Sequence, residues 1–175
     1  AHGAKELDAW IRNFGFGKKT GKDFRYESAG FYHPDGRWTK YSEISLPMGQ
    51  EIAVTMPQLA RAFAAIANGG LLVEPHLVYH VKNYDGDVLY QYEPGNSKRI
   101  MSEQTSATMR ELCYGVVEHG TGKRAAIPEY RAGGKTGTAQ VALPKELGRG
   151  YYTDRHTAVF AGFAPIADPR LVCVI

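Results

Sequence analysis

The sequence predicts an α+β domain in which an antiparallel sheet packs against helices. Apolar residues recur at helical spacing in three separated stretches, a period-two pattern brackets Asp85-Gly86, and the last third reads as successive strands joined by turns. With 175 residues and 43% hydrophobic composition, the chain is long enough for the core of one ordinary domain.

The first helix is carried by Leu7, Trp10, Ile11 and Phe14, with Gly15 where a C-terminal cap belongs. Residues 17–50 contain many turn formers (Gly21, Pro34-Asp35-Gly36, Pro47) and little periodicity, which predicts an irregular excursion. Its basic run, Lys18-Lys19-Thr20-Gly21-Lys22, reads as a solvated helix exit rather than a binding patch. A second helix starts after an N-cap at Thr55, holds Pro57 in its first turn, turns Leu59, Phe63 and Ile66 inward, and ends at Asn68-Gly69-Gly70. Residues 76–81 and 88–92 then flank Asp85-Gly86 as a hairpin. His76 and His80, four apart, would suit a metal on a helix; in a strand without a third ligand they read as hairpin residues. A third helix, capped by Ser102, turns Met109, Leu112, Val116 and Val117 inward and exits at His119-Gly120-Thr121-Gly122. Strands follow at 130–142, 157–164 and 170–175, with a turn at 165–169. Tyr151 and Tyr152 fall in the long loop after the first of these, and His156 just before the second. A domain rarely stops inside an apolar strand, so a cut C-terminus is expected.

Composition excludes some classes. The net charge of +3 comes from basic residues that do not cluster, which argues against a nucleic-acid footprint. No apolar run approaches membrane-spanning length, and no signal-peptide pattern opens at Ala1. Cys113 and Cys173 follow no metal or redox spacing; each lies in an apolar stretch, so two buried free thiols are expected. No cofactor and no metal are expected.

The densest polar cluster is Gly133-Gly134-Lys135-Thr136-Gly137-Thr138-Ala139-Gln140. A phosphate loop would need a glycine where Glu129 stands and a helix after the Lys-Thr pair, and neither condition holds. A plain strand with a glycine kink or bulge is the bland alternative, and it leaves the flanking hydroxyls unexplained. In a strand Thr136 and Thr138 point to the same face, and Gly137 between them admits a close neighbour. Two hydroxyls beside an ammonium make a carboxylate site on a sheet edge.

The motif stands in an ordered series. Asn13-Phe14-Gly15-Phe16-Gly17, Pro47-Met48-Gly49-Gln50, the helix from Met56, Gly120-Thr121-Gly122-Lys123, the Lys-Thr-Gly strand and Ala161-Gly162-Phe163-Ala164-Pro165 follow one another along nearly the whole chain. In this order the sequence resembles the transpeptidase domain of monofunctional (class B) penicillin-binding proteins, which share the serine β-lactamase fold. The resemblance implies a serine acyl-transferase of peptidoglycan synthesis that acts on the D-Ala-D-Ala end of a stem peptide and is acylated by β-lactams. It implies that Lys135 supplies positive potential and a hydrogen bond, and that Thr136 and Thr138 hold the terminal carboxylate. The Thr138 backbone N–H would be one oxyanion donor, and Gly134 and Gly137 would keep the strand open to a close ligand. It further implies a location at the outer face of the bacterial cytoplasmic membrane with the anchor outside this chain, and partnership with other cell-wall synthesis or division proteins. A penicillin-recognising sensor and a serine β-lactamase are the competing readings.

The resemblance also exposes a gap. Ser28, Ser42, Ser45, Ser97, Ser102 and Ser106 lack both a lysine three residues on and an asparagine two residues on. The family's S-x-x-K and S-x-N segments precede the part matched here, and a further strand and helix follow it. Residues 1–175 are therefore expected to be part of a transpeptidase domain, inactive alone and completed by the N-terminal half of that domain.

Overall fold

A computed structural model describes residues 3–21, 23–95, 97–148 and 150–175. Lys22 of the basic run lies outside the described residues; Lys18 and Lys19 are exposed, as expected, while Thr20 between them and Gly21 is buried. Helix α1 (Ala4–Asn13) forms where the apolar spacing placed it, and Gly15 follows in the left-handed region at φ +79°. Its inner face differs from expectation: Ile11 and Asp8 are buried, whereas Trp10 is 42% exposed. Asp8 is accommodated because Arg12, one turn on, pairs with it at 2.6 Å.

The excursion that follows holds only short pieces: β1 (Phe31–Tyr32), α2 (Ser42–Ser45) and β2 (Ile52–Ala53), with β1 antiparallel to β2. Polar side chains tie it to the start of α3 (Met56–Ala67). Thr55 and Gln58 form a reciprocal capping box, in which the Gln58 Oε1 accepts from the Thr55 N–H at 2.8 Å. The Gln58 amide also donates to the carbonyls of Lys18 and Ala29, each at 2.8 Å, and the residue is 1% exposed. Beside it the Glu27 carboxylate accepts from the Thr20 N–H (2.6 Å) and the Thr55 hydroxyl (3.0 Å), a placement that a helix N-terminus favours.

Beyond α3, β3 (Leu71–Leu72) pairs with the later β6 (Lys98–Arg99), and β4 (His80–Lys82) pairs with β5 (Val88–Gln91) as the expected hairpin. The hairpin is shorter than the sequence implied: His80 belongs to it, but His76 lies in irregular chain before it. Helix α4 (Glu103–Glu118) starts at Ser102, whose Oγ accepts from the Thr105 N–H. The final sheet is antiparallel in the order β7 (Gly133–Ala142), β8 (Tyr151–Ala164), β9 (Leu171–Val174). Strand β8 begins six residues before the expected start, which moves Tyr151, Tyr152 and His156 from a loop into the strand.

The core lies between α3, α4 and this sheet, with Ala65, Ile66, Leu72, Met101, Cys113, Phe163 and Ile166 at its centre. The contacting faces of the helices are built from small residues. Gln58, Ala62, Ala65 and Ile66 are buried on α3, while Leu59 and Phe63 are half-buried. On α4 the buried residues are Ser106, Cys113 and Val117, and Leu112 is 61% exposed. Size explains the correction: Ser106 comes close enough to donate to the Ile66 carbonyl at 2.6 Å, which a bulkier stripe would prevent. Strand β7 approaches α4 as closely. A Cβ at Gly133 would sit 3.1 Å from the Tyr114 nitrogen and 3.2 Å from the Cys113 carbonyl carbon.

Gln58→Ala strips partners from the Thr55 N–H and from two carbonyls, at a cost of about 3 kcal/mol. Urea denaturation of the intact protein checks this; a loss below about 1 kcal/mol would show that water replaces the amide there.

Candidate functional site

Among the described residues strand β7 is the edge of its sheet, paired only with β8, and its register runs without a slip from Gly133 opposite Phe163 to Gln140 opposite His156. Phe160 exchanges both backbone hydrogen bonds with Ile175, each at 2.9 Å, so its N–H and C=O point away from β7. Its partner Thr136 is thus in a non-hydrogen-bonded pair, and the Thr136 N–H and C=O face the open edge. Two residues on, Thr138 repeats that orientation. The backbone N–H of Thr138 therefore points out of the sheet.

The same parity puts the Thr136 and Thr138 side chains on one face, with Thr138 exposed and Thr136 half-buried. The exposed Lys135 turns back along the edge and donates its Nζ to the Thr136 carbonyl at 2.5 Å. Beneath it the Cys113 thiol is buried; burial raises its pKa above the ordinary value, and the Lys135 charge pulls the other way. Cys173 is exposed, contrary to expectation, because its alternation places it on the outer face of β9, opposite Gly162.

One residue of the cluster escaped the sequence reading. Thr121, in the Gly120-Thr121-Gly122 turn after α4, lies with its hydroxyl 2.7 Å from that of Thr136. The turn brings a third hydroxyl to the motif strand from fifteen residues upstream. The only signal for it was its place in the ordered series of motifs, where it served as a landmark.

The glycines are fixed by the protein's own packing. A Cβ at Gly134 would run into the Phe160 ring and come within 2.7 Å of the Ala161 carbonyl; one at Gly137 would meet the Val159 Cγ1 at 2.7 Å. Four of the six serines are committed within the fold. Ser106 is spent on α3 and Ser102 on its cap, while Ser42 and Ser45 are buried and donate to Glu51, the former at 2.8 Å. The sequence offered these two no base; the structure supplies a carboxylate but seals both hydroxyls from substrate. Among the described residues no group of three or more His, Cys, Asp or Glu could hold a metal, and no helix is long and apolar enough to cross a membrane.

An open sheet edge with outward amides, same-face hydroxyls and a lysine is a cradle for an extended peptide that ends in a carboxylate. The chain belongs to the penicillin-binding protein transpeptidase domain family, whose model matches residues 1–175. It is 36% identical to stage V sporulation protein D of Bacillus subtilis, over 99% of this chain and 26% of that protein. It is 33% identical to peptidoglycan D,D-transpeptidase MrdA of Acinetobacter baumannii, over 99% of this chain and 28% of that one. The crystal structure of penicillin-binding protein 3 from Mycobacterium tuberculosis complexed with ampicillin superimposes with a TM-score of 0.91 at 33% identity, covering 98% of this chain and 39% of that chain. The chain spans about a quarter of the length of the curated relatives it matches.

The buried thiol gives a direct check on the packing under Lys135. At pH 8 Cys113 stays protonated and unalkylated by iodoacetamide in the folded protein, and reacts once urea unfolds it. Its alkylation rate in the folded state climbs as pH rises past the ordinary thiol value; fast labelling at pH 8 would show that β7 does not cover it.

Proposed function

We propose that residues 1–175 form one wall of the active site of a serine-type peptidoglycan D,D-transpeptidase that cross-links stem peptides and is acylated by β-lactams. The observation that carries this reading is the orientation of β7, which turns the Thr138 N–H and the Thr136 and Thr138 hydroxyls toward one open edge next to Lys135.

In this reading a stem peptide lies along the β7 edge as an added strand. Thr136 and Thr138, with Thr121 behind Thr136, hold its terminal carboxylate, and Lys135 sets the positive potential that draws it in. The nucleophilic serine comes from outside these 175 residues. Its Oγ attacks the carbonyl of the D-Ala-D-Ala bond, and the Thr138 N–H and the serine's own N–H stabilise the oxyanion. The terminal D-Ala leaves with its amine protonated, and the acyl group passes to an amine of a neighbouring strand, freeing the serine. Lys135, here on the Thr136 carbonyl, would in the completed site bond the serine of S-x-N. Gly134 and Gly137 keep side chains off the strand where peptide and sheet meet. The rest of the domain, including the N-terminal half, completes the cleft, and the parent protein works at the outer face of the cytoplasmic membrane beside other cell-wall synthesis or division proteins.

A labelled-penicillin gel on the intact protein tests the reading. Stable labelling fits it, labelling lost on wash-out would indicate a β-lactamase, and absence of labelling removes the catalytic role. Stem-peptide cross-linking then separates a transpeptidase from a sensor. Lys135→Ala is expected to lower the acylation rate by roughly 10²–10³, and Thr136→Val by roughly 10-fold to 100-fold through weaker carboxylate binding. Unchanged acylation in Lys135→Ala would mean that β7 does not line the site.

A further inference from the structure

Beside the β4–β5 hairpin lie two adjoining clefts of about 510 and 320 Å³, which share Glu74, Pro75, His76, Tyr92 and Gly95. The wall they share is the His76 ring stacked on that of Tyr92, with centroids 3.6 Å apart and planes 13° from parallel. The larger cleft is lined by Val73, Pro75 and Pro94, all largely aliphatic. The smaller one is lined with carboxylates from Asp23, Glu74 and Glu93.

Asp23 accepts from the N–H groups of Leu77 (2.8 Å) and Val78 (3.2 Å), which hold its carboxyl below the ordinary range. The Glu74 and Glu93 side chains make no hydrogen bond or ion pair among the described residues. Arg61, whose charge is felt at Glu74, commits its Nε to the Val73 carbonyl at 2.6 Å. A chain of net charge +3 thus carries a locally acidic, aromatic-walled hollow.

The hollow suits one kind of group, a cation on an aliphatic stem. The stem lies on the prolines and valine, while the head meets ring faces and carboxylates together. No three of these acidic and histidine groups converge as metal ligands would. Carboxylates beside a stacked ring pair suit an organic cation. Tyr90, which also lines the smaller cleft, is 45% exposed, and Leu77 and Tyr79 outside it are 67% and 60% exposed. A free amine would leave that surface bare; a peptide would cover it.

We propose that this surface is a docking site for a partner protein's segment, which inserts a lysine or arginine side chain into the hollow and lays neighbouring apolar residues on Leu77, Tyr79 and Tyr90. The site shares no residue with the β7 edge and does not depend on the transpeptidase reading.

The test uses the intact protein with ring-labelled histidine and tyrosine. It is titrated with acetyl-Leu-Arg-Leu-amide and with the same peptide carrying citrulline for arginine. Saturable shifts at His76 and Tyr92 are expected with the arginine peptide, with at least tenfold weaker binding of the citrulline form. The double variant Glu74→Gln, Glu93→Gln should weaken the arginine peptide by roughly tenfold while leaving penicillin labelling unchanged. Absence of saturable shifts at the two rings, equal binding of both peptides, or undiminished binding by the double variant would each overturn the proposal.

Discussion

The position of the motif strand depends on how closely β7 lies against α4. At Gly133 the strand lies so near α4 that a Cβ would crowd the helix backbone at Tyr114 and Cys113 and displace the Ile166 side chain. Helix α4 is in turn clamped to α3 through Ser106 and the alanines facing it. Close-packed interiors transmit displacement rather than absorb it. The location of the Thr136 and Thr138 hydroxyls is therefore inherited from a helix pair that carries none of the motif itself.

Much of this fold could be read from the sequence because helix ends and turns depend on local chemistry. Thr55, Ser102 and Gly15 each do at a terminus what their residue types do elsewhere. The errors share a cause. Helical spacing of apolar residues put Trp10 and Leu112 on the inner stripes, whereas close contact selected Ser106, Cys113 and Ala65. Gln58 was missed because its burial follows from carbonyls of Lys18 and Ala29, brought to it by chain folding. The early start of β8 was invisible for another reason: around Asp154-Arg155-His156 both faces are exposed, so no alternation marks the strand.

The same distinction applies to the cluster on β7. Same-face hydroxyls follow from strand parity alone, so Thr136 and Thr138 could be paired without coordinates. Which way the backbone points requires knowing the neighbouring strand's partners, and that came from Phe160 and Ile175. Thr121 needed the turn after α4 to fold back onto the sheet. The glycines invite a ligand-centred reading on sequence alone; in three dimensions Phe160 and Val159 already give them a reason to be glycine.

An edge left unpaired for a peptide is equally open to a strand from any misfolded or neighbouring chain, the usual route into aggregation. Strand β7 limits that exposure with its own residues. Lys135 places a charge on the edge, and the register shift between Gln140 and Ala142 ends the flat stretch soon after Thr138. The motif that makes the edge receptive thus also carries the charge that opposes edge-to-edge pairing.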